Sequence, residues 1–384
     1  MLDIADELSR WVRQGRAFAV ATVAAVTGSA PRRPGAALAV DAGGEVIGSV
    51  SGGCVEGAVY ELCRQALRDG EPLRESFGRS DDSALAAGLT CGGAIDILVT
   101  PVPAAGGGTR ELLARALASA ARGEALALVR VAEGAAAPAG GALLVRPGGG
   151  YEGTLGGSAG LDARAAREAG AMLDAGRTGT VAVGADGDRR GSRSVLLVET
   201  ALPAPRMIVF GAVDFAAALT SAGRFLGYRV TVCDARPVFA TRARFPDADE
   251  VVVDWPHRYL AATRTDARSV LCVLTHDPKF DIPLLTRALT LPVAYIGAMG
   301  SRRTHEDRRR RLREAGVPEE ALARLRGPIG LDLGARTPQE TALSVAAEIV
   351  AERRGGSGVP LTGARVPIHH DGPRPAPGRI GSVA

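Results

Sequence analysis

The chain has 384 residues, 46% of them hydrophobic and 23% charged, ordinary values for a globular protein that exclude a wholly disordered one. At about 100–200 residues per domain, the length suits two or three domains. The net charge of +4 is small and scattered, which argues against a dedicated nucleic-acid binder.

In chain order, Ile4, Leu8, Trp11 and Val12 recur at helical spacing before Gly15. FAVATVAAV (18–26) reads as a buried strand and TGSAPRRPGA (27–36) as a loop. AALAVD and VIGSVS flank AGGE as a hairpin. SGGC (51–54) then leads into an apolar-periodic helix over 55–70. GLTCGGAIDILVTPV (88–102) sets another Gly-flanked cysteine before a strand.

From about 105 the composition turns to Ala and Gly, with strands expected at ALALVRVA and GALLVRP, a helix over 161–175, then VAVGA and SVLLVETALP. We read 1–200 as one α/β domain, with ALPAP (201–205) as a linker. From Met207 short apolar runs alternate with helical segments, which implies a Rossmann-like doubly wound parallel sheet over 206–354. Its closing helix, 337–354, carries a Thr337/Glu340 capping box. Residues 355–384 are Gly/Pro-rich and aperiodic and read as a disordered tail.

The start has no apolar signal region, and no run reaches the roughly 20 apolar residues of a membrane span. A cytoplasmic protein with no membrane partner is expected. The five cysteines are Cys54, Cys63, Cys91, Cys233 and Cys272. Without CxxC spacing they support neither a disulfide framework nor a structural zinc site. Cys63, Cys233 and Cys272 fall in apolar helix or strand positions and read as packing.

Cys54 sits at a helix N-terminus, where free N–H groups favour a thiolate. Gly52 and Gly53 let a ligand approach the backbone. A small buried hydrophobe beside a tight turn fits the same residues. Cys91, with Gly92 and Gly93, repeats the neighbourhood. If both loops lie at one edge, the two thiols share a pocket. Ser29, Arg32 and Arg33 form a loop suited to an anion, though a solvated turn fits equally.

In the second half, Gly211 and Asp234 sit where a dinucleotide fingerprint would place its first glycine and its ribose-binding acid. Val213 stands where the second glycine belongs, so a sheet without NAD(P) is the favoured reading. His276 and Asp277 follow a strand end, and YIGAMGSRRT follows the next, a crevice of the kind open α/β sheets use.

Taken together, TVAAVTGSAPRRPGA, GSVSGGCVEGAVYE, GLTCGGAIDILV, VFGAVDFAAAL, VTVCDARPVFA, LTHDPKFD, YIGAMGSRRT and GPIGLDLGARTPQETALSVAAEIVA resemble the xanthine dehydrogenase accessory proteins, the XdhC/CoxI family. The resemblance covers roughly 1–103 and 195–354. It implies a maturation factor without turnover of its own. Such a chaperone binds the molybdenum cofactor (molybdopterin) transiently, helps exchange a terminal oxo for a sulfido ligand, and delivers the cofactor to a xanthine dehydrogenase-type molybdenum hydroxylase. It further implies that Cys54 and Cys91 contact the metal, that Arg32, Arg33 and the Gly-rich backbone hold the phosphate, and that a separate cysteine desulfurase supplies sulfur. A homo-oligomer is expected. The competing reading is an NAD(P)-dependent oxidoreductase built on the second domain, with His276 or Asp277 as acid/base.

Overall fold

A computed structural model describes residues 1–78, 93–134, 140–184 and 193–363. The greater part of the expected tail, 364–384, lies outside the described residues. The chain divides into two compact units, Met1–Pro203 and Ala204–Ala384. No helix of the described residues is long and apolar enough to cross a membrane.

The first unit opens with α1 (Ala5–Arg13). Strands β1 (Phe18–Thr27), β2 (Ala37–Asp41) and β3 (Val46–Gly48) lead to α2 (Glu56–Asp69), then β4 (Leu73–Phe77) and β5 (Ala94–Val102). The five strands form an antiparallel sheet, order β3-β2-β1-β5-β4. Strand alternation decides which face each residue serves. Ala19, Ala21 and Val23 meet Val59, Cys63 and Ala66 of α2, while Phe18 and Val20 meet Leu8 and Trp11 of α1.

Next come α3 (Gly108–Ala121), β6 (Leu126–Glu133), β7 (Ala142–Val145), β8 (Tyr151–Thr154), α4 (Ala159–Asp174), β9 (Gly179–Gly184) and β10 (Arg193–Ala201). These strands form a second antiparallel sheet, order β8-β7-β6-β10-β9. The composition-based reading of this region missed α3, β8 and, earlier, β4. In α3 the buried stripe of Leu112, Leu113, Ala116 and Leu117 is separated by further alanines, which blunt the contrast between its faces. Buried Arg130 ties the sheets together, donating to Thr22 Oγ1 (2.9 Å), Thr100 Oγ1 (2.8 Å) and the Glu199 carboxylate (2.5 Å).

The two halves of this unit share one plan. Among the described elements each runs helix, three strands, helix, two strands, and the sheet orders correspond strand for strand. The central strands bulge at the same place, after Val23 in β1 and after Val131 in β6, one residue beyond the paired positions Thr22↔Ala37 and Arg130↔Ala142. A Cβ on Gly48 would stand 2.2 Å from the Ala37 carbonyl oxygen. On Gly153 it would stand 2.4 Å from that of Ala142. Both glycines have positive φ, +75° and +92°, so the same backbone solution ends β3 and crosses β8. The unit is an internal structural duplication.

The second unit carries β11 (Arg206–Phe210), α5 (Asp214–Phe225), β12 (Arg229–Asp234), β13 (Glu250–Val253), α6 (Pro256–Ala262), β14 (Val270–Val273), α7 (Pro278–Ala288), β15 (Tyr295–Ala298), α8 (Arg302–Glu314), α9 (Glu319–Leu322), β16 (Leu325–Arg326) and α10 (Pro338–Arg354). All six strands are parallel, order β13-β12-β11-β14-β15-β16. Helices α5 and α10 cover one face through Leu219, Val345 and Ile349. Helices α6, α7 and α8 cover the other through Leu260, Leu284 and Leu312. This is the doubly wound, Rossmann-like sheet expected from the strand–helix alternation. Thr337 and Glu340 form the expected capping box on α10.

Candidate functional site

Strand pairing carries three sequence motifs to one end of the first sheet. Thr27, closing β1, pairs with Ala94, opening β5. Leu38 near the start of β2 pairs with Gly48 at the end of β3, and Phe77 at the end of β4 pairs with Ile95. The loop of Ser29, Arg32 and Arg33, the SGGC turn and the residues before Ala94 therefore leave the sheet from the same edge. Cys91 and Gly92 lie outside the described residues. Gly93 is buried, and a Cβ on it would stand 2.1 Å from the Ser29 carbonyl oxygen, so the first and third loops touch through their backbones. Val26, Ala30 and half-buried Cys54 all pack against the same core.

The SGGC turn is organised from beneath. Gly52 and Gly53 take φ of +78° and +120°, and space above their Cα atoms is open. Their N–H groups were expected to face a ligand or the Cys54 thiol. They donate instead to Glu56, in the first turn of α2. Its Oε1 accepts from Ser49 Oγ (2.7 Å), Ser51 N (2.9 Å) and Gly52 N (2.9 Å). Its Oε2 accepts from Ser51 Oγ (2.5 Å), Gly53 N (2.8 Å) and Val55 N (3.3 Å). Burial pushes the Glu56 carboxyl up, but the serine hydroxyls and backbone donors outweigh it and bring it down to about 2. A chain carboxylate thus fills the anion-binding concavity that a turn of N–H groups offers. Sequence reasoning passed over Glu56. The signal was there, an acid two positions after the cysteine in a helix's first turn.

The equivalent turn of the second half, Gly156-Gly157-Ser158, has lost the cysteine. Ser158 caps α4 through the Leu161 N–H (3.2 Å), and buried Asp162 reaches back to the Leu155 N–H (2.9 Å). Cys54 is peculiar to the first half.

Arg32 and Arg33 line a cavity of about 580 Å³ with Asp3, Gly35, Thr178 and Thr200. Arg32 Nη2 lies 3.4 Å from Asp3 Oδ2. Ser29 Oγ and Arg32 Nε are enclosed with no hydrogen-bond partner among the described residues. The remaining cysteines are spent on packing. Cys63, Cys233 and Cys272 are fully buried, and burial pushes the thiols of Cys63 and Cys233 up to about 12 and that of Cys272 up as well.

In the second unit Gly211 (φ +108°) packs its Cα against the Leu274–Thr275 backbone. Asp234, ending β12, accepts from Ala212 N (2.7 Å) and from Arg236 N, Nε and Nη2 (2.9, 2.9 and 2.8 Å). Burial raises the Asp234 carboxyl, but these donors outweigh it and hold it below its ordinary range. Its oxygens already have partners where a ribose would seek them, a local reason for the degraded fingerprint. Asp277 caps α7 through the Lys279 N–H (3.0 Å) and pairs with the Lys279 ammonium (3.0 Å), while His276 is exposed.

A duplicated antiparallel unit with a cysteine turn, followed by a parallel Rossmann unit, defines the class of protein. Residues 11–78 match the family described as "XdhC and CoxI family", and residues 207–349 match the "XdhC Rossmann domain". The chain belongs to the XdhC and CoxI family. It is 30% identical over 159 residues to a Bacillus subtilis protein named as a probable xanthine dehydrogenase component, covering 41% of this chain and 46% of that protein. It is 36% identical over 93 residues to the "Molybdenum cofactor insertion chaperone PaoD" of Escherichia coli, covering 24% and 29%. The matches thus span less than half the length of these relatives. A solved structure described as a xanthine dehydrogenase from Bacillus halodurans shares the fold, with TM-score 0.65 and 24% identity over 90% of this chain and 95% of that one.

Proposed function

We propose that the protein is a molybdenum-cofactor chaperone that assists sulfuration of the cofactor and its insertion into a xanthine dehydrogenase-type molybdenum hydroxylase. The observation that carries this reading is the convergence of the Cys54 turn, the Ser29–Arg33 loop and the Gly93 loop on one sheet end, in a chain of this family. The relative named as a cofactor insertion chaperone supports the same role.

The cargo is a flat anion with a dithiolene and a phosphate, and the residues fit it. Cys54 is half-buried beside two glycines with open space above them. Ser29 Oγ and Arg32 Nε are enclosed polar atoms with unused capacity among the described residues. Cys54, with Cys91, would contact the metal or guard its sulfido ligand. Arg32, Arg33 and Ser29 would hold the phosphate, and Gly52, Gly53, Gly92 and Gly93 would admit the cargo to the backbone. The first 256 residues contain no histidine to serve as a base. That supports binding and transfer without turnover, with sulfur supplied by a separate cysteine desulfurase. The test is molybdenum and pterin analysis of protein purified anaerobically from cofactor-sufficient cells. Retention of both supports the reading, and a blank overturns it.

A further inference from the structure

Helix α8 places its cations against electrostatic preference. It carries seven arginines, and Arg308, Arg309, Arg310, Arg311 and Arg313 each pair with a carboxylate of Asp281, Asp307, Glu314 or Glu319. Arg302 and Arg303, at the first two positions, are exposed and have no partner among the described residues. The first turn holds no acid. The positive end of a helix dipole disfavours cations, so two unpaired arginines there mark a place that an anion would complete.

A buried group points to the same place. Arg308 is 3% exposed. Its Nη2 donates to Asp281 Oδ2 (2.8 Å) and to the Met299 carbonyl oxygen (3.0 Å). Its Nη1 is enclosed with no acceptor among the described residues. It faces the turn entering α8, since a Cβ on Gly300 would stand only 3.7 Å from it. A buried guanidinium N–H without an acceptor is rare and calls for a ligand or other explanation. The turn also lies at the C-terminal edge of the parallel sheet, where Val273 pairs with Ala298, the side on which open α/β sheets bind ligands.

We propose that the Gly300–Arg303 turn is a phosphoryl-binding site. The Arg302 and Arg303 N–H groups and guanidinium forks would hold the tetrahedral oxyanion, with the Arg308 charge behind the turn. The ligand class is a terminal phosphate group, borne either by a nucleotide or by the side chain of a pterin. This site does not rest on the cofactor reading, and inorganic phosphate as the probe keeps the two separately testable.

The experiment is calorimetric titration of the full chain with inorganic phosphate and then AMP, alongside the double variant Arg302→Glu, Arg303→Glu. Acids complement a helix N-terminus, so the variant's unliganded Tm should not fall. Its phosphate affinity should drop about tenfold or more. The charge-matched control Arg258→Glu, Arg264→Glu, on exposed arginines elsewhere in the unit, should bind as the parent does. AMP binding well above phosphate through the same two arginines would identify a nucleotide as the source, and equal binding would identify the phosphoryl group alone. Parent protein that ignores phosphate up to about 10 mM, or a double variant that binds it unchanged, overturns the proposal.

Discussion

The backbone of Gly93 lies against that of Ser29 so closely that a single methyl on Gly93 would stand 2.1 Å from the Ser29 carbonyl oxygen and 3.0 Å from its nitrogen. Both partners are main chain, so neither can swing away. The contact seals the loop that follows β1 to the residues that precede β5. Gly93→Ala should therefore destabilise the first unit by roughly 1–3 kcal/mol, the range for overpacking a tight site. Chemical denaturation should show a lowered midpoint. An unchanged midpoint would mean the two loops part readily.

Glu56 fixes the neighbouring turn. Glu56→Gln keeps the shape but gives up the charge and sets an NH2 group against N–H donors. A loss of about 1–3 kcal/mol is expected from charged hydrogen bonds of this kind, with faster alkylation of Cys54 as the turn loosens.

The same carboxylate gives a pH signature. Its folded value, about 2, lies below its ordinary 4.5. Its stabilisation is complete above 4.5 and disappears as pH falls through 2. Unfolding free energies measured from pH 6 downward should fall more steeply for the parent than for Glu56→Gln. Parallel profiles would contradict the clamp.

Thiol reactivity should separate the four described cysteines. Cys54 is half-buried beside an open turn, whereas Cys63, Cys233 and Cys272 are fully buried with raised thiol pKa values. Iodoacetamide on the native protein, mapped by mass spectrometry, should label Cys54 first and leave those three until unfolding. Early labelling of Cys63 would show that α2 opens locally.

Asp234 should behave as a structural acid. Asp234→Ala strands the Ala212 N–H and frees Arg236, so stability should drop by about 1–3 kcal/mol. NADH or NADPH should leave the parent's Tm unmoved. A clear dinucleotide-induced rise in Tm, lost in Asp234→Ala, would favour the oxidoreductase reading.

Much of this was legible in the sequence, and the exceptions have physical causes. The Rossmann unit announced itself through apolar runs such as MIVF and SVLCVL, because strands buried on both faces need continuous hydrophobicity. The Gly-flanked cysteines and the Ser29–Arg33 loop were visible as motifs, and their union was not. It depends on the register Thr27↔Ala94 and Leu38↔Gly48, which strand pairing alone decides. The duplication was hidden because the halves preserve backbone geometry, at Gly48 and Gly153 and at the two bulges, rather than side chains. Glu56 was overlooked because a first-turn acid is common, and only the fold reveals six donors on one carboxylate.

The central claim is that Cys54 and the loops around it hold a molybdenum cofactor. The most direct measurement is molybdenum and pterin content per chain after anaerobic purification, compared among the parent, Cys54→Ala and the packing control Cys63→Ala. The account predicts that the parent and Cys63→Ala, if folded, retain both components and that Cys54→Ala loses most of them. Equal retention by Cys54→Ala, or none by the parent, would contradict it.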